Sequence, residues 1–408
     1  MSIAQQVLYA NEVGSGRGHV SGLASFAKRL GLDLPGIAAL SYDFYADELT
    51  DLGFGLLKSP PLGYTAEDMV NIHLMGNRSW ADYLFSMGLA RPQTVRHSLK
   101  WWINTIYSNN IAILVAEYAP MALLAAQYVK MANWDIQVVS IGNGYGNPPS
   151  GLKTFPQFMP DHNRIALRES DGLAMINQVL AEISMPALAN LSDIYKTDMS
   201  VPITYPFLDP YLDQRPKGQL ILPNLGFSDE PSPLGDEVYI YFSESELDNP
   251  DVLKVLLDLP LKRRAFLPKT RPEICAQLRA SGVEIEPNLM PMQQLISRTK
   301  MFLHAGSHGM VCLGSALGIA QIALPQHLEH EFHADRARQM GICKMFPKGQ
   351  FTAAQVIEQI AASYTDAALL ATCRALAQDL RRQVAQPAQR DLAAELAALR
   401  LRAGFAPA

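Results

Sequence analysis

Short apolar runs alternate with longer amphipathic segments along most of the chain. In the first half, strands are predicted over 7–10, 111–115 and 136–141, and helices over 20–30 and 121–129. After residue 235 the alternation restarts, with strands predicted over 238–242, 264–267, 301–303 and 321–324 and helices over 249–258, 272–280, 308–317 and 330–340. Strands joined by crossover helices are typical of parallel sheets. The pattern therefore predicts an α/β protein.

Proline marks the boundary between two halves of similar size. The stretch 202–235 is rich in proline and is typical of a linker, whereas 353–400 is rich in alanine and leucine and predicts helices interrupted at Pro387. We therefore expect the following organisation: a Rossmann-like domain over 1–205, a linker over 206–235, a second Rossmann-like domain over 236–375 and a helical tail over 376–408. Ligands of such sheets bind beyond the carboxyl ends of the strands, which predicts a cleft between the halves.

Composition narrows the class of protein. Of the 408 residues, 49% are hydrophobic and 18% are charged, and the net charge is −5, which argues against disorder and against a nucleic-acid partner. The four cysteines are scattered and fit a reducing compartment. The apolar stretches are too short for a transmembrane helix, and the first residues do not resemble a secretory signal. We therefore expect a cytoplasmic protein.

Two glycine-containing turns are candidates for chemistry. The first follows a predicted strand and reads GSGRGHV over 14–20; it departs from the dinucleotide fingerprint, so a simple tight turn is the alternative. The second follows the strand that ends at His304 and reads HAGSHG over 304–309. A helix that begins there presents free backbone N–H groups, and with a neighbouring imidazole donor it would suit a diphosphate.

Several segments together resemble the GT-B glycosyltransferases of the UDP-glycosyltransferase superfamily, including the bacterial antibiotic and macrolide glycosyltransferases. That family opens with a strand, a glycine-rich turn and G-H-V or G-H-I, and this chain has GHV over 18–20. The other similar segments follow in family order: 111–126 (strand, acid, proline and small apolar residues), 238–242 (VYIYF), 289–292 (LMPM), 304–306 (HAG) and 325–330 (PQHLEH). The resemblance covers both halves of the chain.

The resemblance implies a fold, a reaction and partners. The fold would be GT-B, two Rossmann-like domains facing each other across a cleft, with the acceptor bound by the N-terminal domain and the nucleotide sugar by the C-terminal one. The reaction would be a metal-independent, hexosyltransferase-like transfer with inversion, from a nucleotide-diphosphate sugar to a hydroxyl of a small-molecule acceptor. No cofactor beyond that co-substrate is expected, and a homodimer is left open.

The resemblance also assigns roles to individual residues. His19 falls at the position of the general base and Glu117 at that of the carboxylate that orients it, where aspartate is more usual. His304 corresponds to a histidine that contacts the donor phosphate. The remaining residues expected to bind the donor are Gly18, Ser243, Met290, Gly306, Ser307, His308, Gly309, Glu329 and His330.

Other positions depart from the family pattern. The glutamate that holds the ribose hydroxyls should lie at Cys312 or Leu313, the base-stacking tryptophan is replaced by Leu289, and a family glutamine by Met292. Neither a thiol nor an apolar side chain can replace that glutamate, so the donor nucleotide, UDP or dTDP, stays open.

Three alternatives stay open beside this interpretation. One is a catalytically silent GT-B partner of another enzyme, and another is a GT-B sugar-nucleotide epimerase. The third is a metal site, because five of the nine histidines lie within 304–333 and His330 and His333, with Glu329, have the spacing of ligands on one helix face. In addition, Trp101, Trp102 and Tyr145 either shape an acceptor pocket or belong to the core.

Overall fold

The computed structural model describes residues 5–63, 79–159, 167–225, 235–242, 246–386 and 390–406. The chain divides into two compact units: residues 1–221 with 389–408, and residues 222–388. Each unit is built on a six-stranded sheet. All described strand pairs within these two sheets are parallel.

The first sheet has the strand order β3-β2-β1-β4-β5-β6. Its strands are β1 (Gln6–Asn11), β2 (Gly36–Leu40), β3 (Gly55–Lys58), β4 (Ile111–Glu117), β5 (Gln137–Gly142) and β6 (Met199–Pro202). Its α-helices are α1 (Arg17–Leu30), Asp47–Thr50, Trp80–Leu84, Pro92–Ser108, Pro120–Met131, Glu169–Glu182 and Leu392–Arg402. This is the order of a Rossmann fold, in which the connections reverse direction between β1 and β4. Ligands of such sheets bind beyond the carboxyl ends of the strands at this reversal.

The second sheet repeats the arrangement, with the order β12-β11-β10-β7-β8-β9. Its strands are β7 (Glu237–Tyr241), β8 (Lys262–Phe266), β9 (Val283–Glu286), β10 (Thr299–His304), β11 (Ala320–Ala323) and β12 (Cys343–Met345). Its α-helices are Pro250–Asp258, Pro272–Ala280, Met292–Arg298, His308–Leu317, Leu328–Gln339, Ala353–Thr365 and Ala367–Ala385. The connections reverse between β7 and β10, so the end of β10 lies at the corresponding position of this sheet.

Local sequence explains the central elements. All seven residues of β4 are buried, as expected for a strand covered by helices on both faces of a sheet. The helix Pro120–Met131 begins with proline, which lacks only an N–H that would have no partner in a first turn. α1 buries Val20, Leu23 and Ala27, which lie three or four positions apart on one face.

The predicted α/β class is confirmed, but several elements were missed. The predicted strands and helices correspond to elements of the structure with small shifts at their ends. Five strands were not predicted: β2, which has five residues, and the four outermost strands, β3, β6, β9 and β12, which have only three or four residues each. The residues of β3 are largely exposed because an edge strand has fewer neighbours, so it lacks the apolar run that marks a central strand.

The unit boundary also differs from the sequence-based one. Residues 206–221, predicted as linker, belong to the first unit, where Arg215 and Asp209 form a fully buried ion pair. The predicted tail 376–408 is divided, since the helix Ala367–Ala385 lies in the second unit and Leu392–Arg402 in the first. Among the described residues, no helix is both long and apolar enough to span a bilayer.

Candidate functional site

The imidazole of His19 and the carboxylate of Glu117 are paired at the carboxyl edge of the first sheet. His19 Nδ1 lies 2.9 Å from Oε1 and 3.0 Å from Oε2 of Glu117. An ionised carboxylate can only accept hydrogen bonds, so Nδ1 carries the proton and the lone pair of the neutral ring is on Nε2. The side chain of His19 is 18% exposed and that of Glu117 6% exposed, so the pair is mostly shielded from water.

Topology explains how two residues so far apart in sequence meet. Glu117 ends β4, and His19 lies in the first turn of α1, which follows β1. β1 and β4 are neighbours in the sheet, so the turn after β1 passes over the end of β4. The two residues predicted as catalytic are therefore brought together. The other candidate in this turn, Gly18, is exposed in the first turn of α1.

Neighbouring residues fit closely around the pair. A Cβ atom at Gly14 would lie 2.3 Å from Cγ of His19, so the imidazole occupies space that only glycine leaves open. The ring of Tyr118 contacts His19 edge to face, with the ring centroids 4.5 Å apart. Tyr118 has a φ of 47°, an uncommon conformation for a bulky residue, and its hydroxyl donates to Asn143 Oδ1. This backbone conformation directly follows Glu117.

Two buried polar residues next to this pair were not singled out from the sequence. Asn11 ends β1 opposite Glu117 and donates from Nδ2 to Glu117 Oε2 at 2.6 Å. The carboxylate of Glu12 accepts from Trp102 Nε1 at 2.6 Å and from the backbone N–H of Met121 at 2.7 Å. Burial raises the pKa of Glu12 to about 7, although these hydrogen bonds oppose the shift. Two consecutive polar residues after an apolar strand are the sequence signal that could have found them.

The aromatic residues considered for an acceptor pocket are core residues. Trp102 and Tyr145 are buried, and Trp101 is partly buried with its ring against Trp102. Arg215 holds the loop that contains Tyr145, because it donates to the backbone oxygens of Asn147 and Gly144. Trp102 and Tyr145 thus belong to the core of the first unit, and Arg215 holds the 142–149 loop in place.

In the second unit, His304 ends β10 and is completely buried. Its Nδ1 accepts from the backbone N–H of Gly306 at 2.9 Å, and its Nε2 is 3.0 Å from Gln321 Oε1. Burial lowers the pKa of His304 to about 4, so the ring is neutral at neutral pH. Both nitrogens are used within the protein, which is a correction to the expectation that His304 donates to a phosphate. Gln321 was not singled out from the sequence.

The turn after His304 leads directly into the helix His308–Leu317. Gly306 has a φ of 90°, and a Cβ there would lie 2.6 Å from the backbone oxygen of His330, so this turn requires glycine. Ser307 is the N-cap residue and is partly buried, and Gly309 is exposed. Desolvation lowers the pKa of His308 to about 4. The predicted helix terminus is thus present, with neutral imidazoles beside it.

The histidines of the neighbouring helix pack against this turn. The ring centroids of His308 and His333 are 5.1 Å apart, and those of His327 and His330 are 3.7 Å apart. Glu329 lies in the first turn of the helix Leu328–Gln339 and is partly buried, whereas His330 is buried. Burial holds the pKa of His333 well below its usual value. Within the described ranges, no group of three His, Cys, Asp or Glu side chains is arranged to hold a metal ion.

Met290, a predicted donor residue, and the positions that depart from the family pattern carry apolar or thiol side chains. Met290 and Leu313 pack, partly buried, on the hydrophobic cluster that includes Tyr239 and Phe302. Cys312 is buried, with Sγ 3.4 Å from Nε2 of His308, and Leu289 is exposed. Ser243, the remaining predicted donor residue, lies outside the described residues.

Two parallel six-stranded sheets, each with Rossmann strand order and flanking helices, define the GT-B fold, and this chain has that fold. Residues 277–399 match the family model described as the C-terminal domain of erythromycin biosynthesis protein CIII-like proteins. The GT-B fold expected from the sequence is thereby confirmed, and the family model extends the resemblance over residues 277–399. A comparison with curated protein sequences finds no match.

Solved structures with this fold align over nearly the whole chain. The calicheamicin glycosyltransferase CalG4 aligns with a TM-score of 0.64 at 15% identity, covering 98% of both chains. The spinosyn rhamnosyltransferase SpnG aligns with a TM-score of 0.62 at 14% identity, covering 93% of this chain and 96% of its own. The glycosyltransferase VinC, solved with dTDP, aligns with a TM-score of 0.61 at 14% identity, covering 98% and 100%.

Proposed function

We propose that the protein is a glycosyltransferase that moves a sugar from a nucleotide-diphosphate sugar to a hydroxyl of a small-molecule acceptor, with inversion and without a metal ion. The observation that carries the proposal is the His19–Glu117 pair, placed at the strand reversal of the first sheet of a GT-B fold. A buried carboxylate that fixes the tautomer of a partly exposed imidazole is the arrangement expected of a general base.

In the proposed reaction His19 acts on the acceptor hydroxyl. With Nδ1–H held by Glu117, Nε2 takes the proton as the acceptor oxygen attacks the anomeric carbon, and the imidazolium that forms is stabilised by the adjacent carboxylate. Attack by the acceptor on the face opposite the diphosphate inverts that carbon in a single displacement. The His19–Glu117 pair supplies a base and the carboxylate that orients it, which is what such a single displacement requires.

The second unit would bind the nucleotide diphosphate. The N-terminus of the helix His308–Leu317 presents backbone N–H groups next to Ser307 and the exposed Gly309, where a departing diphosphate would be stabilised. Because His304 is bonded internally, it supports this turn, and we assign no phosphate contact to it. VinC and SpnG have been solved with dTDP and thymidine diphosphate, which supports a deoxyribonucleotide donor as the first to test.

A catalytically silent GT-B partner is the second candidate. The residues at the expected position of the ribose-binding glutamate, Cys312 or Leu313, favour it, since neither a thiol nor an alkyl group can hold two ribose hydroxyls. The intact His19–Glu117 pair opposes it, and it also opposes an epimerase, which needs no base for an acceptor.

The proposal is tested by measuring transfer directly. Purified protein is given dTDP-glucose or UDP-glucose with a panel of phenolic and polycyclic alcohols, in buffer with and without EDTA, and products are measured by mass spectrometry. We expect transfer that survives EDTA and a loss of about 10²–10⁴-fold in His19→Ala, the usual effect of removing a general base.

Two controls give this test its meaning. His97→Ala removes an exposed imidazole from the helix Pro92–Ser108 of the same unit and should keep full activity. Binding of dTDP by His19→Ala, measured by thermal stabilisation, should equal that of the wild type. If His19→Ala keeps more than half of the wild-type rate, His19 is not the base, and if neither nucleotide stabilises the protein, the silent partner is the better description.

A further inference from the structure

Asn11 is the buried polar residue that contacts Glu117 without being part of the proposed catalytic pair. We propose that Asn11 is a positioning residue, whose side-chain amide holds the Glu117 carboxylate in the orientation that keeps the proton of His19 on Nδ1. The kinetic consequence rests on the proposed function, whereas the effect on the His19 tautomer does not.

The side-chain amide of Asn11 makes two hydrogen bonds to Glu117. Asn11 Nδ2 lies 2.6 Å from Oε2 and 3.2 Å from the backbone oxygen of the same residue. Asn11 is 1% exposed, and it pairs with Glu117 across the β1–β4 ladder, so this contact is buried at the ends of two central strands. Water cannot readily replace such a donor if it is removed.

The chemistry fixes which end of the amide faces the carboxylate. An ionised carboxylate repels Oδ1 and attracts the NH2 group, and Oδ1 has no hydrogen-bond partner among the described atoms. Glu117 therefore receives the amide on Oε2 while both of its oxygens face Nδ1 of His19. The carboxylate thus accepts from the amide and from the imidazole together, and the second contact places the proton of the neutral ring on Nδ1.

Glutamate needs such a hold because its side chain has three torsions. Without Asn11, rotation about the terminal torsions would move the carboxylate away from Nδ1 at little cost. The imidazole would then place its proton on Nε2 in part of the molecules, and in that tautomer Nε2 cannot accept the proton of an acceptor hydroxyl. The expected result of losing Asn11 is a smaller fraction of catalytically competent His19.

Other titratable groups near the pair are engaged with different partners. Glu12 binds Trp102 and the backbone of the helix Pro120–Met131, and the hydroxyl of Tyr118 donates to Asn143. The hydroxyl of Tyr83 donates to the backbone oxygen of Val13, and Arg17 in the first turn of α1 pairs with Glu48. None of these contacts involves Asn11, so we attribute a change in pH dependence on its replacement to the Asn11–Glu117 contact.

Two variants distinguish the loss of the hydrogen-bond donor of Asn11 from a change in the shape of its side chain. Asn11→Leu removes the donor at every pH. Asn11→Asp keeps the shape but places a second carboxyl group against Glu117, and two such groups share one proton until high pH. While the proton is present, the introduced carboxyl group donates its O–H to Glu117; once the proton leaves, the two charges repel and the hold is lost.

The kinetic arm compares each variant with the wild type across pH 6 to 9. For Asn11→Leu we expect kcat/KM to fall roughly tenfold or more, by the same factor at every pH, because no titratable group is added. For Asn11→Asp we expect the ratio to the wild type to be near one at pH 6 and at least about tenfold lower at pH 9. A ratio for Asn11→Asp that is constant with pH, or an Asn11→Leu variant within twofold of the wild type, would overturn the proposal.

The spectroscopic arm does not require turnover. 15N-histidine spectra, in which His19 is assigned by its loss in His19→Ala, report which ring nitrogen carries the proton. We expect Nδ1–H in the wild type and a mixture with Nε2–H in Asn11→Leu, while the control Ser140→Ala, which removes another buried polar side chain from the same sheet, leaves the tautomer unchanged.

The two arms distinguish the two proposals. A tautomer that is unchanged in Asn11→Leu refutes the positioning role even if the enzyme transfers sugars. A tautomer that changes in a protein without any turnover supports the positioning role and contradicts the proposed function. If Asn11→Leu does not fold, the isosteric Asn11→Asp provides the same readout through its pH dependence.

Discussion

The thiol of Cys312 is buried in the first two turns of the helix His308–Leu317, where it contacts His308. The neighbouring candidate for the same role, Leu313, packs on the hydrophobic cluster of the second sheet. Neither side chain can accept hydrogen bonds from two ribose hydroxyls as a carboxylate does. At the scale of single residues, this is the feature that bears most directly on the choice of donor.

We therefore expect little discrimination between ribose and 2′-deoxyribose. A buried carboxylate would penalise the deoxy sugar because its oxygens would lose a partner, whereas a thiol or an alkyl group imposes no such penalty. In competition titrations, dTDP should bind at least as well as UDP, and 2′-deoxy-UDP should match UDP. A preference of more than tenfold for UDP over its 2′-deoxy form would mean that another residue holds the ribose.

At the scale of elements, hydrogen bonds of one side chain connect β10, the turn after it and β11. His304 joins them by accepting from Gly306 and bonding Gln321, and its neutral form is required for both contacts. The sequence correctly predicts a strand followed by a helix terminus. It does not predict that the imidazole of His304 points into the protein. Its direction depends on Gln321, which belongs to the next strand.

This arrangement predicts that the second unit loses stability in mild acid. The pKa of His304 is about 4 in the folded chain against 6.5 for the free side chain, so the unfolded chain binds the additional proton between these values. Stability is therefore complete above pH 6.5 and falls as the pH decreases towards 4, by about 3 kcal/mol for this one residue. The pKa values of His308 and His333 are also lowered, and they add to the same trend.

Hydrogen exchange of peptides from β10 and the helix His308–Leu317, measured between pH 4.5 and 7, checks this expectation after correction for the intrinsic exchange rate. Protection should decrease towards low pH in the wild type and less steeply in His304→Gln, whose side chain does not titrate. Equal slopes in both proteins would show that His304 is not the group responsible.

At the scale of the whole molecule, the chain returns to its first unit after completing the second. The helix Leu392–Arg402 carries Arg400, which is 1% exposed and donates to the backbone oxygen of Leu30 and to the carboxylate of Asp33. It also donates to the backbone oxygen of Ala406. The last segment is thus joined to the end of α1, the helix that carries His19.

We expect Arg400→Met to destabilise the first unit by roughly 2–3 kcal/mol, because the buried carbonyl oxygen of Leu30 loses its charged donor and the buried space of the guanidinium is left without polar partners. Tryptophan fluorescence in urea reports this unit selectively, since all four tryptophans precede residue 222. The matched control is Arg402→Met, which removes an exposed arginine two positions away and should change the stability by less than about 0.5 kcal/mol. Equal effects of the two substitutions would show that the buried contacts of Arg400 contribute little.

The sequence by itself determined the α/β class, the inner strands of both sheets except β2, and the resemblance that paired His19 with Glu117. These features depend on local patterns: apolar runs long enough to be recognised, amphipathic helices and short motifs in order. A strand such as β4, whose seven residues are all buried, can be read without knowing its neighbours.

Only the tertiary structure decided the rest, because those features depend on contacts between residues far apart in the chain. The short edge strands are formed by pairing and carry no apolar run of their own. Asn11 meets Glu117 across 106 positions because β1 and β4 are neighbours, and Arg400 meets Asp33 across 367. The ring of His304 faces inward because Gln321 on the adjacent strand offers a partner, and such a pairing is set by strand order rather than by sequence motif.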